Sequence, residues 1–400
     1  LARLRGIFFF DPVNTGFDER HNDTRFQPAR TPRSGRVENI YATGVDLYDA
    51  YLQSTFDWAD HASVVTLGWQ TVRWGESTLI ARNSLAEINP PSAAVLHTPG
   101  FEINEVFRPV AALVLSSDLA EGLSAELFYQ LQWQGVQPDP SGSFFADLDL
   151  LEGSYAAVSL GQLGEDPDRR QRFNGPISLI SSSSGTIYLD PPHEPRDGGQ
   201  YGLRLNYRAD WIPGGTELGF YFLNYHSRYP YATAVATDAS CTRGVGPDGR
   251  TNDTDHPNTH QALLDCRLFN GSLLGRQDQH DREREPLPID TLGAYLDYPE
   301  DIQMLGISFN TTAGEFSLAG EYSFRPNLPL QVSLNDVIFA ALQPAFPTND
   351  FLIDPTALLN TLSPLIGPLT PDQASDLVQL ASARFPGANT ALPSYLKAWR

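Results

Sequence analysis

The sequence predicts an all-β fold, a transmembrane antiparallel up-and-down β-barrel with long, partly helical external loops, and three observations carry that expectation. Between residues 44 and 325 a strand-like run, a turn of about four residues, a second run and a segment of about thirty residues or more recur four times. The runs alternate apolar and polar side chains over ten or more positions, whereas a soluble strand is usually about five or six residues long. No apolar run approaches the eighteen or so residues of a transmembrane helix.

In chain order, residues 1–10 read as a strand already under way, with Arg3 and Arg5 on one face and Leu4, Phe8 and Phe10 on the other. Strands at 45–58 and 63–74 flank the short turn 59–62, and strands at 108–117 and 122–136 flank 118–121. Strands at 200–212 and 216–229 flank 213–215, and strands at 302–311 and 315–325 flank 312–314. Within 123–134, Leu123, Ala125, Leu127, Tyr129, Leu131 and Trp133 share one face, while Ser124, Glu126, Gln130 and Gln132 share the other. Only Phe128 breaks that alternation. In 315–325 Phe316, Leu318, Tyr322 and Phe324 oppose Glu315, Ser317, Glu321, Ser323 and Arg325, and in 200–210 Tyr201, Leu203, Leu205 and Tyr207 oppose Gln200, Arg204, Asn206 and Arg208. Polar faces carrying both signs of charge suit a wet lumen, and runs this long match the nine to eleven or so residues of a tilted membrane strand. Nine strands are an odd number where single-chain barrels are usually even, so the reading is an incomplete barrel over 1–325. Residues 326–400 then form a helical loop or plug leading to further strands.

Composition restricts the partners. The chain has 41% hydrophobic residues and a mean hydropathy of −0.28. A net charge of −21 repels nucleic-acid phosphates, and it suits divalent-cation bridging to lipopolysaccharide among outer-membrane lipids. Its 32 Gly and 31 Pro fall largely in the long segments, as loop chemistry requires, and no shift of composition marks a domain boundary.

The sharpest local feature is Arg73-Trp74-Gly75-Glu76-Ser77 at the outer end of the third strand. Gly75 lets the backbone leave the ladder, so that Glu76 and Ser77 fold back over the lumen as a constriction; the alternative is a plain strand exit with Trp74 in an aromatic girdle. Glu76 is expected to pair with Arg108, Arg204 or Arg208, and Glu126 and Gln130 complete the lumen-facing set, with Gln130→Arg expected to be tolerated. Further on, Asn89 caps a short apolar helix over 90–97 with Pro90 at its first position, folded toward the barrel mouth or over the outer leaflet. His97 reads as structural rather than as a ligand.

The terminal segment offers two short apolar helices over 332–342 and 355–366, then Thr370-Pro-Asp-Gln373 in capping-box form, with plug or lid as their role and a structured external loop as the alternative. Cys241 and Cys266 in one external loop of an envelope protein suggest a disulfide. Asp248, Asp253 and Asp255 in the same loop are weak calcium candidates against a plain solvated loop, and calcium is the one cofactor the sequence raises. His256 and His260 carry little zinc signal, and residues 281–285 read as a solvated charge run. No nucleophile motif, metal-ligand helix or phosphate loop appears, so the chain is not expected to be an enzyme.

Six blocks in order carry a resemblance: Leu67-Gly-Trp-Gln-Thr-Val-Arg-Trp-Gly-Glu-Ser77, Glu87-Ile-Asn-Pro90, Thr98-Pro-Gly-Phe-Glu102, Tyr129-Gln-Leu-Gln-Trp133, the run from Tyr298-Pro-Glu-Asp301 to Asn310, and Gly320-Glu-Tyr-Ser-Phe-Arg-Pro-Asn327. Over about 65 to 330 the chain resembles the proteobacterial family catalogued as domain of unknown function 1302. The resemblance implies a bacterial outer-membrane barrel longer than this chain. It also implies a periplasmic lipoprotein-like partner, an inner-membrane transporter and passage of hydrophobic or lipid-like small molecules, and it supplies no catalytic residues. The expectation is a channel or transporter within an envelope-spanning system. Its alternatives are a surface adhesion protein anchored by a barrel and, further off, a barrel-embedded hydrolase.

Overall fold

The structure is a computed structural model that describes residues 1–16, 18–20, 30–32, 35–58, 60–77, 84–97, 100–139, 143–146, 155–159, 184–212, 215–237, 292–342 and 344, with isolated positions 368, 370 and 372. Fifteen strands lie within them. In order they are β1 (Ala2–Phe10), β2 (Asp18–Arg20), β3 (Arg30–Pro32), β4 (Thr43–Trp58), β5 (His61–Gln70), β6 (Val110–Ala120), β7 (Leu123–Gln130) and β8 (Tyr155–Ser159). They continue as β9 (Ser184–Leu189), β10 (Gln200–Ala209), β11 (Thr216–Tyr225), β12 (Tyr231–Val235), β13 (Leu292–Asp297), β14 (Ile302–Ala313) and β15 (Phe316–Phe324).

Nine of these form one antiparallel sheet in the order β1-β4-β5-β6-β7-β10-β11-β14-β15, each paired with its neighbours along the chain. These are the nine strands expected from the alternation, and tight turns such as that between Trp58 and His61 alternate with the long segments. The protein is therefore all-β with an up-and-down meander. Among the described residues β1 and β15 do not pair with each other, so the sheet is open rather than a closed barrel. None of the described helices is long and apolar enough to cross a membrane.

One face of this sheet leaves a band of large apolar side chains uncovered, while the other carries a buried cluster that mixes apolar and polar groups. Leu4, Leu52, Leu67, Leu113, Leu127, Phe220, Leu305, Ile307 and Leu318 all point outward and are exposed. Exposed aromatics cluster toward the ends of the strands: Trp58, Trp211 and Phe316 beside the short turns, and Phe10, Tyr129, Tyr201 and Phe324 beside the long segments. The outward Ser63 and Ser117, opposite each other on β5 and β6, bond hydroxyl to hydroxyl at 2.8 Å and so satisfy one another within this apolar band. The other face holds the buried Gln70, Gln130, Gln200 and Ser308.

The sheet curls around that second face. From β5 to β15 there are six strand spacings, about 29 Å on a flat sheet. Yet the chain leaves β5 at Gln70 and the amide of Glu76 already bonds Glu321 on β15, although six residues extend at most about 20 Å. Only a concave sheet brings those strands within reach.

The long segments build a second sheet that the sequence reading missed, in the order β12-β13-β9-β8, with β13 and β9 parallel. The expected helix over 332–342 is present as Leu334–Leu342. Its buried Ala341 and Leu342 pack with Leu292 of β13, and its Ala341 carbonyl accepts the Thr237 amide at 2.9 Å. This helix therefore covers the second sheet. The expected helices over 355–366 and after Thr370 lie outside the described residues, apart from the isolated positions 370 and 372.

Candidate functional site: a segment threaded across the concave face

Residues 71–77 turn inward where β5 ends, and residues 84–88 lie inside with them. Gly75, at φ 85°, adopts a backbone that an L side chain rarely takes, and the chain turns there into the interior. Trp74 becomes the hub of the buried cluster at 1% exposure, with Val72, Leu85, Ile88, Val114, Tyr221, Leu223 and Met304 around it. Its ring meets Phe128 edge-on at 6.2 Å and Tyr221 at 5.9 Å, and its Nε1 donates to Glu126 Oε1 at 2.5 Å. Trp74 is thus an interior anchor and not a girdle residue. Phe128, the one apolar residue on the polar face of β7, is explained by this contact.

Two glycines on the concave face make room for the segment. A Cβ on Gly202 of β10 would stand 2.7 Å from the Trp74 ring, and one on Gly306 of β14 would stand 2.1 Å from Leu85 Cδ2. Small residues at these strand positions let another part of the chain approach closely.

Glu321 on β15 fastens the far end of the segment. Its Oε2 accepts the backbone N–H of Glu76 at 2.8 Å and of Ser77 at 3.1 Å, and its Oε1 accepts that of Leu85 at 3.1 Å. Beside it, Asn310 Nδ2 donates to Glu76 Oε2 at 3.1 Å. The expected ion pair of Glu76 with Arg108, Arg204 or Arg208 is not formed among the described residues. The inward turn carries Glu76 past β10 to β14 and β15, where an amide and not a guanidinium awaits it. Arg204 lies over the Tyr221 ring and donates to Asn206, and Arg208 pairs with Asp210 in an exposed position. Arg204, Glu126, Ser116, Asp118 and Asn206 line a cavity of about 280 Å³ on the concave face.

A second seam, absent from the sequence reading, seals residues 84–88 from the side of the long segments. Arg228 is 1% exposed; its Nη2 donates to Gln130 Oε1 at 2.6 Å and its Nη1 to the Gln134 carbonyl at 3.2 Å. Burial pushes its guanidinium down to about 10, against the pull of the Glu87 carboxylate. Arg325 Nη2 lies 3.8 Å from Glu87 Oε1 and donates to the Ser84 carbonyl at 2.5 Å. Gln130, expected to face a wet lumen, is instead fully buried beneath Arg228, where a second guanidinium would meet the first.

At its root the segment is tied by Asn89, whose Oδ1 accepts the Val72 amide at 2.9 Å while its Nδ2 donates to the Arg108 carbonyl at 2.7 Å. The sequence reading made Asn89 a helix cap. Instead the helix is the short Ala93–Leu96, capped by Ser92, whose hydroxyl accepts from the Val95 amide. Pro90 and Pro91 hold the residues before them extended, so no helix can start at Asn89. Arg108 lines a separate cavity of about 260 Å³ with Asp46, Tyr48 and Trp69. His97 bonds Asp139 through Nδ1 at 2.9 Å and stacks on Phe145 at 3.8 Å.

Where the long segments leave the sheet, Arg196 pairs with Glu300 and Asp301, and the buried His226 accepts the Asp301 amide at Nδ1 and contacts the Gly198 carbonyl through Nε2. Trp133 stands edge-on to Tyr298 at 4.8 Å, and Asn327 Nδ2 donates to the Asp301 carbonyl at 2.8 Å. Cys241, Cys266, Asp248, Asp253, Asp255, His256, His260 and residues 281–285 lie outside the described residues. Among the described residues no group of three or more His, Cys, Asp or Glu is placed to hold a metal.

Fold and site define an all-β protein built on a long antiparallel meander whose concave face is crossed by one of its own loops. The chain belongs to the family described as Protein of unknown function (DUF1302), whose profile matches residues 2–394. Comparison with curated proteins and with solved structures gave no match.

Proposed function

We propose that this chain forms the wall and the internal constriction of a β-barrel in the bacterial outer membrane that passes apolar or amphipathic small molecules. The observation that carries this reading is the uncovered apolar outer face. Each large apolar side chain left in water forgoes about 1.5–3 kcal/mol, and the outward face presents a continuous band of them between two belts of aromatics. Lipid covers such a band; water does not. Strands such as β5, β10 and β11, of 10 residues each, have the length a tilted membrane strand needs.

Transport is supported by the loop across the concave face, since a barrel serving only as an anchor has no need of a shaped internal segment. Polar cavities remain on the concave face beside it. Within this reading, lipopolysaccharide and lipids surround the wall, and a periplasmic lipoprotein-like partner with an inner-membrane transporter accounts for directional passage. The four-stranded sheet raised from the long segments favours a second reading, a surface-binding module held by the barrel.

The test is insertion and leakage. The full-length protein refolded into vesicles should float with the lipid and admit a neutral apolar dye slowly, and faster when Glu321→Gln frees the segment. Protein that stays in the aqueous phase without detergent would exclude the barrel. Insertion with no dye entry in either form would favour the surface module.

A further inference from the structure

The concave face of β1, β4 and β5 carries a concentration of positive charge in a chain whose net charge is −21. Arg3, Arg5 and Arg73 converge with Asp49, Gln53 and Gln70 around a cavity of about 350 Å³. Two of these guanidiniums share one carboxylate, and the third has none among the described residues. Arg3 Nε and Arg5 Nε each lie 3.1 Å from the same oxygen, Asp49 Oδ2. The Arg5 Nε contact is close enough for an ion pair but off the hydrogen-bonding direction, so this buried N–H has no hydrogen-bond acceptor among the described residues. Arg73 is exposed to the cavity and has no ion-pair partner among the described residues. Its neighbour Trp74 is the anchor of the threaded segment, so the cavity adjoins the root of that segment.

A guanidinium presents a planar fork of N–H donors matched to two oxygens of a carboxylate or phosphate, and a cluster of such forks is the usual protein answer to an oxyanion. We propose that this cavity binds the oxyanionic headgroup, carboxylate or phosphate, of an amphipathic small molecule. Asp49 holds Arg3 and Arg5 in place, and Arg73 closes on the ligand. As a binding site the cavity stands on its own geometry; as the substrate-selecting site of a transporter it rests on the function proposed above.

The experiment is isothermal titration of the full-length protein in a neutral detergent with hexanoate, hexyl phosphate and hexanol. At least one of the two anions should bind tenfold or more tightly than hexanol, and the affinity should fall as sodium chloride is raised from 50 to 500 mM, an interval chosen to span weak to strong screening. Binding of hexanoate alone identifies a carboxylate site, and binding of hexyl phosphate alone identifies a phosphate site. Arg73→Gln, a change at an exposed side chain, should weaken the anion tenfold or more while leaving the unfolding midpoint in place, and Arg73→Lys should restore part of the loss. Equal affinity for hexanol and both anions, or an anion affinity unchanged in Arg73→Gln, would overturn the proposal. Because the dye used to test passage is neutral, no anion preference in the unaltered protein with dye entry intact would reject this site and leave the channel standing.

Discussion

The carboxylate of Glu321 receives the backbone N–H of Glu76 at 2.8 Å across 245 positions of sequence. With Ser77 and Leu85 on the same carboxylate, a single side chain of the last described strand holds a loop that leaves the sheet at β5. Hydrogen bonds to a charged acceptor are worth about 1.5–3 kcal/mol each when shielded from water, so this contact decides whether the loop stays docked.

Glu321→Gln keeps the size of the side chain but replaces one accepting oxygen by a donor. The bonds at that oxygen are lost, and the chain around Glu76, Ser77 and Leu85 should become more sensitive to added protease while the sheet remains folded. Limited proteolysis of the vesicle-inserted protein checks this. An unchanged cleavage pattern would show that the carboxylate does not retain the loop.

Gly306 and Leu85 should be energetically coupled. Gly306→Ala places a methyl against Leu85 Cδ2 and should cost about 1–3 kcal/mol by overpacking. Leu85→Ala, at a fully buried site, should cost about 2–5 kcal/mol. The double variant should lose clearly less than the sum, because the second change removes the clash. Denaturant titration of all four proteins measures the coupling, and strict additivity would refute the contact.

Leu127→Arg, on the outward face, should cost about 2–4 kcal/mol if lipid lies against it. Ser124→Arg, on the inward face of the same strand and lining the cavity that holds Asp118 and Glu126, should be tolerated. Gln130→Arg should be damaging although it too faces inward, since it places a second guanidinium against buried Arg228. Folding yields in vesicles rank the three, and equal damage from Leu127→Arg and Ser124→Arg would remove the assignment of the faces.

His226 makes stability depend on pH. Burial lowers its pKa below the ordinary 6.5, with the Gly198 carbonyl, Glu300 and Asp301 opposing and Arg196 assisting. Above 6.5 both folded and unfolded forms are neutral and the full contribution is present. As pH falls below 6.5 the unfolded chain takes up a proton that the folded site resists, and stability declines until the folded pKa is reached. The melting temperature should therefore fall from pH 7.5 to 5.5, and His226→Asn should flatten that slope. A slope identical in the two proteins would show that His226 does not carry it.

The wall was legible in the sequence because a period of two sustained over ten residues is a strong local signal, and all nine long strands appear in the expected order. The interior was only half legible. Gly75 marked where the chain turns in, but nothing local to Glu76 distinguishes an arginine partner from Asn310, which lies 234 positions away. Phe128 was visible as an exception, and its cause, Trp74, came from a different strand end. Asn89 looked like a cap because a capping residue and a cross-link between strand ends use the same side chain. The second sheet escaped notice because strands of five or six residues set in long segments give little alternation, and β13 and β9 pair in parallel across distant segments.

The bond between Glu321 and Glu76 also orders assembly in time. The residues between them must be threaded into the wall before the acceptor exists, and contacts of such long sequence separation form after local hairpins. Each short-turn hairpin can close as soon as its two strands are made, and Trp74 can then meet Glu126 and Gly202, whereas the far end of the loop lacks its carboxylate until β15 is in register beside β14. Until then the backbone of Glu76, Ser77 and Leu85 has no acceptor, and fastening of the loop is among the last events. A chain halted before β15 would leave the loop unfastened, so the position of the latch on that strand couples completion of this arc to the fastening of its interior.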